Sequence, residues 1–92
     1  MKRRKNEESL IRVVLTLRER DLITGETFAD PEYTDRLTST GKKDNTITAK
    51  YTAEEIDDLI GYIAAEANHT KSKKLEKELD KLFDKLKKLI EP

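Results

Sequence analysis

Between Leu10 and Leu17 the chain alternates. Ile11, Val13, Leu15 and Leu17 fall at every second position, set against Arg12, Val14, Thr16 and Arg18. Strand side chains point to opposite faces with period two, so the first set predicts one buried face of a strand near residues 10–16. A second, shorter alternation sets Ile47, Ala49 and Tyr51 against Thr46, Thr48, Lys50 and Thr52, and predicts a strand near 46–51. Gly41-Lys42-Lys43-Asp44-Asn45 just ahead of it reads as a turn. The intervening segment is long enough for a parallel crossover or a wide antiparallel loop, which leaves the orientation of the pair open.

Both strands run into the same helix-start signal. Thr16-Leu17-Arg18-Glu19 and Thr52-Ala53-Glu54-Glu55 are T-x-x-E capping boxes. In such a box the Thr oxygen accepts from the amide three residues on, and the Glu accepts from the Thr amide. Gly25, after Ile23 and Thr24, predicts that the first helix ends there with the glycine in the left-handed conformation. Asp30-Pro31-Glu32 predicts a further brief helix, with Asp30 as N-cap, Pro31 at the first helical position, and Tyr33 and Leu37 on one face.

From residue 53 the period becomes helical. Ile56, Leu59, Ile60, Ile63, Ala64 and Ala67 form one apolar stripe, predicting a helix over 53–68. Asn68-His69-Thr70 interrupts it, and Ser72 offers an N-cap for a helix over 72–90. There Leu75, Leu79, Leu82, Leu86 and Leu89 repeat by fours and threes, widened by Phe83 and Ile90, against a face of Lys, Glu and Asp. Two amphipathic helices with a short connection form an antiparallel αα-hairpin. The predicted class is α+β: a short two-stranded β element with a helical insert, then the C-terminal hairpin. Residues 1–8 read as a flexible basic tail. Residues 9–92 read as one small domain, with a strand/short-helix/strand half over 9–52 and the hairpin over 53–92.

Composition sharpens this picture. Charged residues make up 41% of the chain and hydrophobic residues 35%, which raises disorder as an alternative. The periodic placement of the apolar residues and the balance of 19 basic against 19 acidic residues argue for a folded domain instead. That zero formal charge also argues against a dedicated polyanion binder. Cysteine is absent, which excludes disulfides, thiolate metal sites and thiol nucleophiles. There is no run of apolar residues long enough to span a bilayer, and the start MKRRKNEESL lacks an apolar signal region. The expectation is a cytoplasmic protein without membrane attachment.

Few residues suggest chemistry. Glu66-Ala67-Asn68-His69 has the i,i+3 spacing of a carboxylate–histidine metal pair, but occurs once and at a helix end, where polar and cationic groups are favourable anyway. Glu54, Glu55, Asp57 and Asp58 crowd a helix start, where negative charge is stabilised by the helix dipole. The three glycines form neither a Walker loop nor a G-x-G-x-x-G fingerprint, and no serine sits in a nucleophile elbow. No enzyme activity, catalytic residue, metal or cofactor is expected.

Two surface features remain. Gly61 and Ala65 project opposite the main stripe of their helix, and mid-helix Gly costs about 1 kcal/mol relative to Ala. That pair marks a packing face for the N-terminal βα unit, for a second subunit or for another partner. Lys2, Arg3, Arg4 and Lys5, with Lys42 and Lys43, form small basic patches suited to weak, salt-sensitive nucleic-acid contact. The expected function is a non-catalytic protein-interaction module, with a homodimer as one form. The alternative is a nucleic-acid-associated accessory protein using the basic tail.

Overall fold

The computed structural model describes residues 10–38 and 44–91. The order is β1 (Ile11–Thr16), α1 (Leu17–Asp21, continued as a π-helical turn over Leu22–Glu26), α2 (Pro31–Thr38), β2 (Thr46–Tyr51), α3 (Ala53–His69) and α4 (Lys73–Ile90). This is the predicted α+β arrangement. The strands pair antiparallel, which decides the orientation, with Ile11 opposite Tyr51 and Thr16 opposite Thr46.

Both capping boxes form. Thr16 Oγ1 accepts from the Glu19 amide at 3.1 Å and Glu19 accepts from the Thr16 amide at 2.9 Å. Thr52 and Glu55 repeat this geometry at the start of α3. Asp30 caps α2 through the Glu32 amide at 2.9 Å, and Ser72 caps α4 through the Leu75 amide at 3.2 Å. At the turn before β2, Asp44 and Asn45 take the left-handed conformation with φ of 53° and 64°, which short polar side chains tolerate.

Gly25 corrects one expectation. It does not end a helix in the left-handed conformation, since no described glycine has positive φ. The chain instead widens into the π turn. The Thr24 hydroxyl donates to the Arg20 carbonyl at 3.0 Å and the Thr27 hydroxyl to the Ile23 carbonyl at 2.7 Å. These side chains satisfy carbonyls that a glycine cap would otherwise leave to backbone amides.

One cluster of buried residues joins all the elements. Val13 and Leu15 from β1 and Ile47, Ala49 and Tyr51 from β2 supply the sheet side. Leu22, Ile23 and Leu37 come from α1 and α2. Ile56, Leu59, Ile60, Ile63 and Ala67 of α3 meet Leu79, Leu82 and Leu86 of α4. Leu75, Phe83 and Ile90 pack at the margin, while Leu89 ends the leucine repeat 39% exposed. Among the described residues the core contains no polar residue, and no helix is long and apolar enough to cross a membrane.

Candidate interaction surfaces

Long-range polar contacts fasten the N-terminal half to the hairpin. The Arg18 guanidinium donates to both carboxylate oxygens of Glu78, at 3.0 and 2.7 Å. Lys85 Nζ donates to Glu19 Oε1 at 2.6 Å. Glu19 is therefore cap and ion-pair partner at once. Glu55, the second capping-box carboxylate, does the same: Arg36 donates to its two oxygens, each at 2.8 Å. That partnership holds the Glu55 carboxyl below its ordinary range.

Arg36 organises a cluster that local sequence patterns do not announce. Its guanidinium lies 4.9 Å from the Tyr51 ring centre and 5.9 Å from that of Tyr33, within cation–π range. It also donates to the Lys50 carbonyl at 3.2 Å, covering the edge of β2. Tyr33 and Tyr51 meet edge-to-face at 6.2 Å, and Tyr62 lies 6.5 Å from Tyr33. The Tyr51 hydroxyl donates to the Tyr33 carbonyl at 2.6 Å, and burial pushes that phenol up to about 12. The Tyr33 hydroxyl donates to the Asp58 carboxylate at 2.7 Å, which raises its pKa further still. Arg36 and the hydroxyls of Tyr33 and Tyr51 all have polar partners within these elements, so the cluster reads as a structural clasp between α2, β2 and α3.

Gly61 and Ala65 are exposed on the outer face of α3. A Cβ added at Gly61 would have nothing within 4 Å among the described residues. The N-terminal βα unit, one of the occupants expected there, does not cover the glycine. Lys2, Arg3, Arg4, Lys5, Lys42 and Lys43 lie outside the described residues. Glu66 is half-buried and His69 exposed at the end of α3, and among the described residues no three His, Cys, Asp or Glu side chains gather to hold a metal ion.

A further surface went unremarked in the sequence. The outward side of the sheet carries Arg12 directly opposite Lys50, with Leu10 and Val14 exposed at 47% and 45%. The alternation near Leu10 could have flagged it, because the polar positions of an amphipathic strand must face something. Comparison with protein-family models, with curated proteins and with solved structures gave no match. The functional reading therefore rests on this chain's own residues.

Proposed function

We propose that the protein is a small non-catalytic interaction module that works by self-association or by holding a protein partner, with a homodimer as its simplest form. The hairpin α3–α4 serves as a rigid scaffold, and Gly61 and Ala65 belong to the contact face. We place it in the cytoplasm, a reading supported by its cysteine-free, highly charged composition.

The observation that carries the reading is Gly61. Glycine in the middle of a helix costs about 1 kcal/mol relative to Ala. Among the described residues nothing lies close enough to require the missing side chain. A close approach by a second molecule supplies the reason that the isolated fold lacks.

Gly61→Leu tests this with two readouts that move in opposite directions. The monomer gains roughly 0.5–1 kcal/mol in a urea melt, because a good helix former replaces glycine in open space. Self-association by light scattering, or partner capture, is lost. A chain that stays monomeric and keeps the same partners with either residue overturns the proposal.

A further inference from the structure

The hydrogen-bond ladder between β1 and β2 fixes which backbone groups remain unused. The Leu17 amide donates to the Asn45 carbonyl at 3.3 Å, one step beyond the Thr16–Thr46 pair. In an antiparallel ladder, bonded pairs recur at every second residue. Leu15–Ile47, Val13–Ala49 and Ile11–Tyr51 are therefore bonded pairs as well. The N–H and C=O groups of Arg12 and Val14 then turn away from β2.

The neighbouring outward groups have partners. The Lys50 carbonyl accepts from Arg36, and the Thr16 amide donates to Glu19. Among the described residues no hydrogen bond reaches the outward groups of Arg12 or Val14. An open strand edge of this kind is a template for another strand, and proteins commonly blunt such edges with bulges, proline or a covering segment. Neither a bulge nor a proline interrupts Ile11–Thr16.

The side chains beside that edge indicate what fits it. Arg12 and Lys50 face each other directly across the ladder, and like charges so placed are destabilising. Neither forms a salt bridge with any described residue. Exposed Leu10 and Val14 flank Arg12 on the same face.

Resting on the reading of the chain as an interaction module, we infer that the β1 edge docks an extended acidic peptide as a third strand. The peptide backbone exchanges hydrogen bonds with Arg12 and Val14. A carboxylate beside Arg12 relieves its repulsion with Lys50, and an apolar side chain two residues along covers Val14. Backbone pairing gives affinity here, and alternate side chains give specificity.

The probe is the blocked heptapeptide Thr-Glu-Val-Val-Val-Glu-Thr, with Thr-Lys-Val-Val-Val-Lys-Thr as control, titrated into the full chain and followed by amide NMR. The acidic peptide shifts the amides of Arg12 and Val14, slows their hydrogen exchange and binds at least about tenfold tighter than the control. Arg12→Glu reverses that order. Val14→Pro removes the outward N–H, leaves the β2 ladder intact and weakens the acidic peptide. Equal binding of the two peptides, shifts centred elsewhere, or an order unchanged in Arg12→Glu overturns the inference. So does duplex DNA that shifts Arg12 and Lys50 where neither peptide does. If neither peptide binds while Gly61→Leu still abolishes association, the edge inference falls and the module reading stands.

Discussion

Arg36 is the side chain on which the junction of α2, β2 and α3 depends most. Arg36→Ala removes several interactions at once, chief among them the two-pronged pair with Glu55, the bond to the Lys50 carbonyl and the stacking over Tyr51. The side chains of Arg36 and Glu55 are 32% and 21% exposed, between the regimes of surface and interior ion pairs. Exposed pairs contribute about 0.2–1 kcal/mol, and the two-pronged geometry favours the top of that range. Cation–π contact contributes roughly 0.5–1 kcal/mol at exposed sites. The substitution should therefore cost about 2 kcal/mol, a large share of the roughly 5–14 kcal/mol expected for a chain of this length. Glu55→Gln is the right partner mutation, because the amide oxygen still accepts from Thr52 and the helix start survives. A double-mutant cycle in urea at pH 7 should give a coupling of about 1 kcal/mol. The pH dependence has a definite sign. Glu55 is held below 4.5 in the folded chain, so its contribution is complete above that value and is lost as pH falls through the depressed folded pKa. Repeating the cycle in stronger acid should erase the coupling. Single mutants that add to within about 0.3 kcal/mol at pH 7 would refute the reasoning, since contacting residues should not be additive.

Two further outcomes are expected. Leu82→Ala should cost about 2–5 kcal/mol by denaturant melt, because Leu82 is 1% exposed in the hairpin core. The same change at Leu89, 39% exposed, should cost much less, and equal costs would undo the assignment of the α4 stripe. In alkali, the Tyr51 phenol stays protonated to about 12 in the folded chain against 10.0 ordinarily. Its contribution is complete below 10 and lost as pH rises towards 12, so the melting temperature of Tyr51→Phe should fall less steeply above pH 10. Parallel profiles would show that burial of this phenol is not what alkali reverses.

What was legible in the sequence was local. Thr16 and Glu19, Thr52 and Glu55, Asp30 and Ser72 act on amides within three residues of themselves, so their spacing alone announces helix starts. The stripes of α3 and α4 follow from helical period in the same way. Gly25 misled because a competing local option, two threonine hydroxyls bonding backward to carbonyls, satisfied the helix end first. Strand orientation and the Arg36 clasp were hidden because they depend on partners far along the chain. Arg36 is 19 residues from Glu55, and Lys85 is 66 from Glu19. No period or spacing rule encodes such pairs.

The two capping-box glutamates show how the two levels join. Each is placed by a local motif at a strand–helix junction, and each then receives a cation from a distant element. The same carboxylate therefore ends a strand, starts a helix and fastens a remote helix, which economises on polar groups in a chain whose apolar fraction is 35%. Against that economy, two places stand apart. Arg12 and Lys50 are opposed cations that form no salt bridge with any described residue, beside a strand edge whose outward backbone groups bond to no described residue. Gly61 leaves a helix face bare, at an energetic cost for which no described residue gives a packing reason. On the interaction-module reading both departures serve contacts with other molecules, one through the β1 edge and the other through the outer face of α3. Occupying one should therefore leave the other available. If the Gly61→Leu chain loses self-association yet still binds the acidic heptapeptide with unchanged affinity, the two surfaces work independently. Loss of both in that single variant would instead mean that the strand edge is completed only within the assembled form.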